Sequence, residues 1–204
     1  MSAPPKTVLH AEPEEAQAIR EAVRIVDPAT LGEHRARADL SHVQGLVALL
    51  SDPAVSDAIY DLPRPITPDS VTRWVTEAQA QALAGDGLLL VSLDAHGAVA
   101  GYSRFTIWPE RASGELAGAV RADRQNRGQG GPGAAHTFAW MFTTLGVRLI
   151  GLTAATDNIR SAKLIEAAGF VDMGEREAIR PDGTIRRSRY WELTREEWRL
   201  RHRL

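Results

Sequence analysis

Apolar residues return every three or four positions in several separate stretches of the chain. Ile19, Ala22, Val23 and Val26 follow Pro13, which suits a helix start, and Asp27-Pro28 ends the run. Ser41-x-x-Gln44 has the form of a capping box and introduces the stripe Val43, Leu46, Val47 and Leu50. Asp52-Pro53 closes that helix, and a second short helical segment reaches about Ile59. Thr67-Pro68 opens a further helix with Val71, Trp74, Val75 and Ala78 inward. Ala134 to Leu145 places Ala135, Phe138, Ala139 and Phe142 on one face. Asn158 to Ala168 reads as a helix closed by Gly169, and Thr194-x-x-Glu197 caps a short last one.

Between these lie runs with strand character. Arg35 to Leu40 alternates thinly. Gly87 to Leu93 and Val99 to Trp108 flank a turn at Asp94 to Gly97. Glu115 to Val120 and Arg148 to Ala155 are single strands. Phe170 to Arg180 and Ile185 to Leu193 make a hairpin around Pro181-Asp182-Gly183-Thr184. The order describes an α/β domain with a mixed sheet over residues 33–204. Residues 1–32 read as an N-terminal extension, a short helix and linker. That helix either packs on the domain surface or makes a homodimer contact.

Composition narrows the functional classes. The chain has 204 residues, enough for one domain with a sizeable core, and its 44% hydrophobic and 25% charged content is ordinary. A net charge of −2 argues for neither nucleic acid nor a membrane surface as partner. Cysteine is absent, which excludes disulfides, cysteine–zinc sites and a thiol nucleophile. His10, His34, His42, His96, His136 and His202 are scattered without ligand spacing, so no metal is expected. No apolar run approaches membrane-spanning length, and Met1-Ser2-Ala3-Pro4-Pro5 lacks a signal pattern, so a cytoplasmic location is expected.

The stretch Gln125-Asn126-Arg127-Gly128-Gln129-Gly130-Gly131-Pro132-Gly133 lies between a strand ending near Val120 and a helix. Its glycines let backbone N–H groups approach an anion, and a helix N-terminus adds a favourable dipole. Gly128-x-Gly130-x-x-Gly133 matches the dinucleotide pattern, but the polar run Arg121 to Arg127 separates it from the strand. Gly-Lys-Ser/Thr, needed for a Walker loop, is absent. A flexible loop without a ligand is the bland alternative.

Gln125-x-x-Gly128-x-Gly130 resembles the Gln/Arg-x-x-Gly-x-Gly/Ala signature of the GNAT superfamily of N-acetyltransferases. Asn158-x-Arg160-Ser161-x-x-Leu164 before Ala168-Gly169-Phe170 is similar to that family's second cofactor wall. Tyr190-Trp191-Glu192-Leu193-Thr194-Arg195-Glu196-Glu197-Trp198 resembles the ending of its RimJ/RimL-like subgroup. The likeness runs from about Arg35 to Trp198. It implies a mixed, largely antiparallel sheet flanked by helices, in which the strands at Glu115–Val120 and Arg148–Ala155 splay apart. It implies acetyl-CoA as co-substrate, with the pantetheine arm in the gap, and a primary amine as acceptor, either a protein N-terminus or a small molecule. A non-catalytic acyl-CoA-binding module with the same fold is the alternative.

Cofactor binding then falls to Val120, Gln125, Arg127, Gly128, Gln129, Gly130, Gly131, Gly133, Asn158, Arg160 and Ser161. Backbone amides from Arg127 through Gly131 would take the pyrophosphate, Arg127 and Arg160 would add charge-assisted bonds, and Asn158 would bond the pantetheine arm or cap its helix. Acetyl transfer also needs a neutral amine, donors for the oxyanion and a proton for the leaving thiolate. Glu115 is the candidate base and Ser161 the candidate acid, because Ile165 stands where many members carry a tyrosine. Tyr190 and Tyr102 are held in reserve, and His136 reads as a packing residue. Asp57, Asp61, Trp108, Glu110, Glu175, Glu177 and Trp191 are candidates to face the acceptor.

Overall fold

The computed structural model describes residues 3–57, 59, 61–125, 130–179 and 183–202. Among them are β1 (Arg35–Arg37), β2 (Gly87–Leu93), β3 (Val99–Trp108), β4 (Ser113–Val120), β5 (Leu149–Ala155), β6 (Val171–Ile179) and β7 (Ile185–Thr194). They form one sheet in the order β1-β2-β3-β4-β5-β7-β6. β4 and β5 are parallel and every other neighbouring pair is antiparallel. The helices are α1 (Pro13–Ile25), α2 (Val43–Leu50), α3 (Pro53–Ser56), α4 (Pro68–Ala84), α5 (Gly130–Trp140), α6 (Ile159–Ala167) and α7 (Arg195–His202). No helix among the described residues is long and apolar enough to cross a membrane.

Alternating strand residues divide the sheet into two faces. One carries Leu88, Leu90, Phe105, Ile107, Ile150, Leu152, Trp191 and Leu193, and packs against α1, α5, α6 and α7. The other carries Leu89, Val91 and Tyr102, and packs against α2 and α4 through Leu46, Leu50, Val71, Trp74 and Val75. The stripes expected on α2 and α4 are the residues that meet the sheet. Ile19, Val23 and Val26 of α1 are buried within the first core, so the apolar face of this helix is used inside the chain.

Local signals explain the element ends. Thr67 and Ser70 cap α4 reciprocally. Thr194 Oγ1 and the Glu197 carboxylate do the same for α7: the Glu197 N–H donates to the hydroxyl at 3.1 Å, and the Thr194 N–H donates to Oε2 at 3.0 Å. Gly169 takes φ +93° after α6, a conformation that disfavours any side chain. Three expectations need correcting. The box before α2 is Asp39 with His42, not Ser41 with Gln44, because Asp39 accepts from the Ser41 N–H at 2.9 Å. The turn it forms ends β1 at Arg37. Helix α5 begins at Gly130 instead of Ala134, so Pro132 lies inside its first turn, where a missing N–H costs little. That helix widens into a π turn over Met141–Leu145.

Candidate active site

The parallel ladder between β4 and β5 is only three residues long: Ser113–Leu149, Gly114–Ile150 and Glu115–Gly151. Past Glu115, β4 continues paired to β3 as far as Val120, while β5 continues paired to β7 as far as Ala155. The two strands therefore separate into a wedge with Glu115 at its closed end. Helices α5 and α6 follow the C-terminal ends of these strands, so both helix N-termini lie at the open end. Ligands of α/β sheets settle at such crevices.

Glu115 is 5% exposed. Thr153 Oγ1 donates to its Oε1 at 3.0 Å, a bond that crosses from β5 to β4 just past the fork. Register extends the row: Glu115 pairs with Gly151, Gly151 with Glu192, and Thr153 with Tyr190. Paired residues share a face, so Glu115, Thr153, Tyr190 and Glu192 form one polar patch on the sheet face that carries Leu89 and Val91. Glu192 is 4% exposed, and the Tyr190 hydroxyl is buried close to its carboxylate. Burial raises the Tyr190 phenol far above its ordinary range, and the Glu192 carboxylate adds to the effect. Its O–H thus stays intact near neutral pH and is a donor, not an acid that readily gives up its proton.

Gly151 makes room for this phenol. A Cβ there would lie 2.3 Å from Tyr190 Oη and 3.0 Å from Cζ. The Arg176 guanidinium lies over the ring, 4.0 Å from its centroid. Gly151→Ala should cost about 1–3 kcal/mol through overpacking, a melting temperature lower by roughly 2–12 °C. Adding Tyr190→Phe should recover part of the loss, because the nearest clashing atom is the hydroxyl. Thermal denaturation of the single and double variants checks both statements.

At the open end, Gln125 Nε2 donates to the Val120 carbonyl at 3.1 Å and tethers the start of the loop to the end of β4. Gly131 and Gly133 are exposed, and a Cβ at either would meet nothing within 4 Å. Arg127, Gly128 and Gln129 lie outside the described residues. Asn158 caps α6: its Oδ1 accepts the Ser161 N–H at 3.0 Å. Ser161 is half-buried in the first turn of that helix, beyond the open end of the wedge, and Arg160 is exposed. The predicted site residues thus form two groups. Glu115 stands at the closed end, and the described members of the cofactor set gather at the other.

Several other expectations move. Trp191 is fully buried on the opposite face, in the core with α5 and α7, and cannot face an acceptor. Glu110 is bound to Arg20 of α1. His136 is exposed and does not pack. Ile165, at the position of the missing tyrosine, is 6% exposed within the core. Thr153 and Glu192 were not singled out from the sequence. The available signal was the alternation Ser188, Tyr190, Glu192 against Trp191, Leu193, which marks a polar face on β7. Among the described residues no group of three His, Cys, Asp or Glu could hold a metal ion.

Comparison with known proteins agrees with this architecture. A family model described as an acetyltransferase (GNAT) domain matches residues 35–171, and the chain belongs to that family. No curated protein matches. Among solved structures, ribosomal-protein-S5-alanine acetyltransferase from Vibrio fischeri superposes with a TM-score of 0.67 at 16% identity, over 80% of this chain and 93% of that one. Spermidine N-acetyltransferase from Vibrio cholerae, in complex with CoA and spermine, gives 0.66 at 15% identity, over 80% and 96%. The protein yncA from Salmonella typhimurium, with its cofactor acetyl-CoA, gives 0.59 at 19% identity, over 78% and 92%. At these identities the likeness establishes the fold. Among the described residues the sheet has a single parallel pair, which leaves no place for the doubly wound arrangement that a dinucleotide pattern requires.

Proposed function

We propose that this chain is an acetyl-CoA-dependent N-acetyltransferase that moves an acetyl group to a primary amine by direct attack in a ternary complex. The observation that carries the reading is the wedge: a parallel pair that ends at Glu115–Gly151, with two helix N-termini at its open end. The residues fit the co-substrate. Past the fork, the β5-facing backbone groups of Leu116 to Ala119 have no ladder partner among the described residues, so an extended arm bearing amides can pair with them as an added strand would. The N-terminus of α5, starting at Gly130, offers N–H groups and a positive dipole end to a pyrophosphate, and Gly131 and Gly133 leave its approach open. Asn158 uses Oδ1 for its cap and retains its NH₂ donors for the arm. Arg160 adds charge at the same end, as would Arg127.

Acetyl-CoA supplies the acetyl group as an activated thioester. Glu115 accepts the proton of the attacking amine, directly or through one water, while Thr153 fixes the orientation of its carboxylate. Tyr190 contributes a neutral O–H donor to the same patch. Ser161 would give the departing sulfur a proton and regain one from solvent. The Glu115 and Glu192 carboxylates suit a cationic acceptor, either a protein N-terminus or a small-molecule amine. The Vibrio neighbours are named for a protein alanine and for spermidine. A non-catalytic acyl-CoA module remains the second reading, favoured by the buried Ile165 at the tyrosine position.

Thermal stability measured with acetyl-CoA, CoA, NAD and ATP in parallel tests the cofactor. A ligand at about 100 times its dissociation constant adds roughly 2.7 kcal/mol, or about 5–10 °C for a chain of this size. A rise with acetyl-CoA and CoA but not NAD is expected. A rise with NAD alone, or no rise with any of the four, would overturn the reading.

A further inference from the structure

Among the described residues, α2 and α4 do not pack on the half of the Leu89 and Val91 face that lies over β7 and β6. It is covered by the first described residues of the chain. Arg176 donates to the carbonyls of Ala3, at 3.2 Å, and Pro4, at 3.0 Å. Arg111 donates to those of Pro5, at 2.7 Å, and Thr7, at 3.2 Å. The Thr7 N–H is shared between the two oxygens of Glu192, at 3.1 and 3.3 Å. Pro5 is buried under this segment. Lys6 Nζ donates to the carbonyls of Met173 and Glu175, at 2.6 and 3.3 Å, where the β6 ladder shifts register. The same ammonium lies 6.0 Å from the Tyr190 ring centroid.

Side chains from the β3–β4 connection, β6 and β7 thus grip the backbone of an extended segment. Pro4 and Pro5 favour that extended form and have no N–H groups to satisfy. The attachment is light at its centre. Glu192 is a carboxylate on the acceptor side, one strand beyond Gly151 and so about 10 Å across the sheet from Glu115. From the strap, a single backbone N–H reaches it. An ammonium brings a full charge and three donors to the same oxygens, and is the stronger partner.

We propose that residues 3–7 are an internal strap that closes the acceptor side of the active site and is displaced when a cationic amine takes Glu192. The proposal rests on the N-acetyltransferase reading for the identity of that site. It adds a substrate class: an acceptor carrying a second positive charge, one amine at Glu115 and a cation at Glu192. While the strap is closed, the acceptor meets only the open fraction of molecules, and its apparent affinity falls by that fraction.

Amide hydrogen exchange of residues 3–10 in the full chain, with spermine as the probe and no acetyl donor, tests this. Slow exchange at Thr7 in the free protein and at least tenfold faster exchange at saturating spermine are expected. Fast exchange in the free protein, or protection that spermine leaves unchanged, would overturn it. Thr7→Pro provides a second test, because it deletes the strap's N–H on Glu192 and keeps Lys6 extended. Spermine should bind this variant about tenfold more tightly if the strap is closed nine-tenths of the time, with CoA affinity unaltered. Equal spermine affinity in a variant that melts like the parent would also overturn it. Both readouts are independent of acetyl transfer, so absence of turnover would reject the enzymatic reading without deciding whether the strap moves.

Discussion

Glu115→Gln lowers the rate of acetyl transfer by about 10²–10⁴-fold, the range for loss of a general base, and leaves acetyl-CoA affinity unchanged. The substitution is close to isosteric, and the amide oxygen can still accept the Thr153 hydroxyl bond that crosses the fork. Packing at the closed end of the wedge is therefore kept, and what is lost is the group that can take a proton. Glu115 stands at the closed end of the wedge and the N-terminus of α5, which would take the pyrophosphate, follows its open end, which accounts for the separation between rate and cofactor binding. Single-turnover rates across pH, beside a CoA titration, check it. The deficit should narrow as the amine loses its own proton at high pH, because a pre-deprotonated nucleophile needs no base. An unchanged rate at every pH would remove Glu115 from this role.

Gly130→Glu abolishes the thermal shift given by CoA, while the variant melts near the parent in the absence of ligand. Gly130 opens α5, where unpaired N–H groups and the helix dipole favour a negative ligand. A carboxylate installed there satisfies the same field from within the chain. It also repels a pyrophosphate and fills the space the phosphates need. The substitution should not unfold the helix, since acidic residues are favoured in a first turn. Loss of binding is then separable from loss of structure. A CoA titration that gives the parent's affinity would sink the assignment of the loop.

The stripes of α1, α2 and α4 were legible because burial of one helix face leaves a period in the sequence, and those residues are the ones that meet the sheet. The wedge was legible only through resemblance. Nothing in the local pattern of Glu115 to Val120 says that its second edge lacks a partner, since pairing is a property of two strands distant in sequence. The parity of β7 was the harder matter. Tyr190 and Trp191 are adjacent and both aromatic, and alternation tells that they point apart but not which face lies over the fork. Register with Gly151 and Thr153 decides it, and places Tyr190 and Glu192 beside Glu115 while Trp191 goes to the core. The strap left no trace in the pattern, because Pro4-Pro5-Lys6-Thr7 has no period and is held by Arg111, Arg176 and Glu192 from three remote elements. The capping box before α2 was misplaced for a simpler reason: Asp39/His42 and Ser41/Gln44 both satisfy the spacing, and the one nearer the strand end was taken up.

The most direct measurement is of the transfer itself. The wild-type chain is incubated with acetyl-CoA and a panel of amines that includes spermine and short peptides with free N-termini, and free CoA thiol and acetylated amine are quantified together. One thiol released per amine acetylated, saturable in both substrates and absent without an amine, is the expected result. Tight binding of acetyl-CoA with no acetylated product from any amine on the panel would contradict it, and would make the wedge a binding site for an acyl-CoA that the chain holds but does not use.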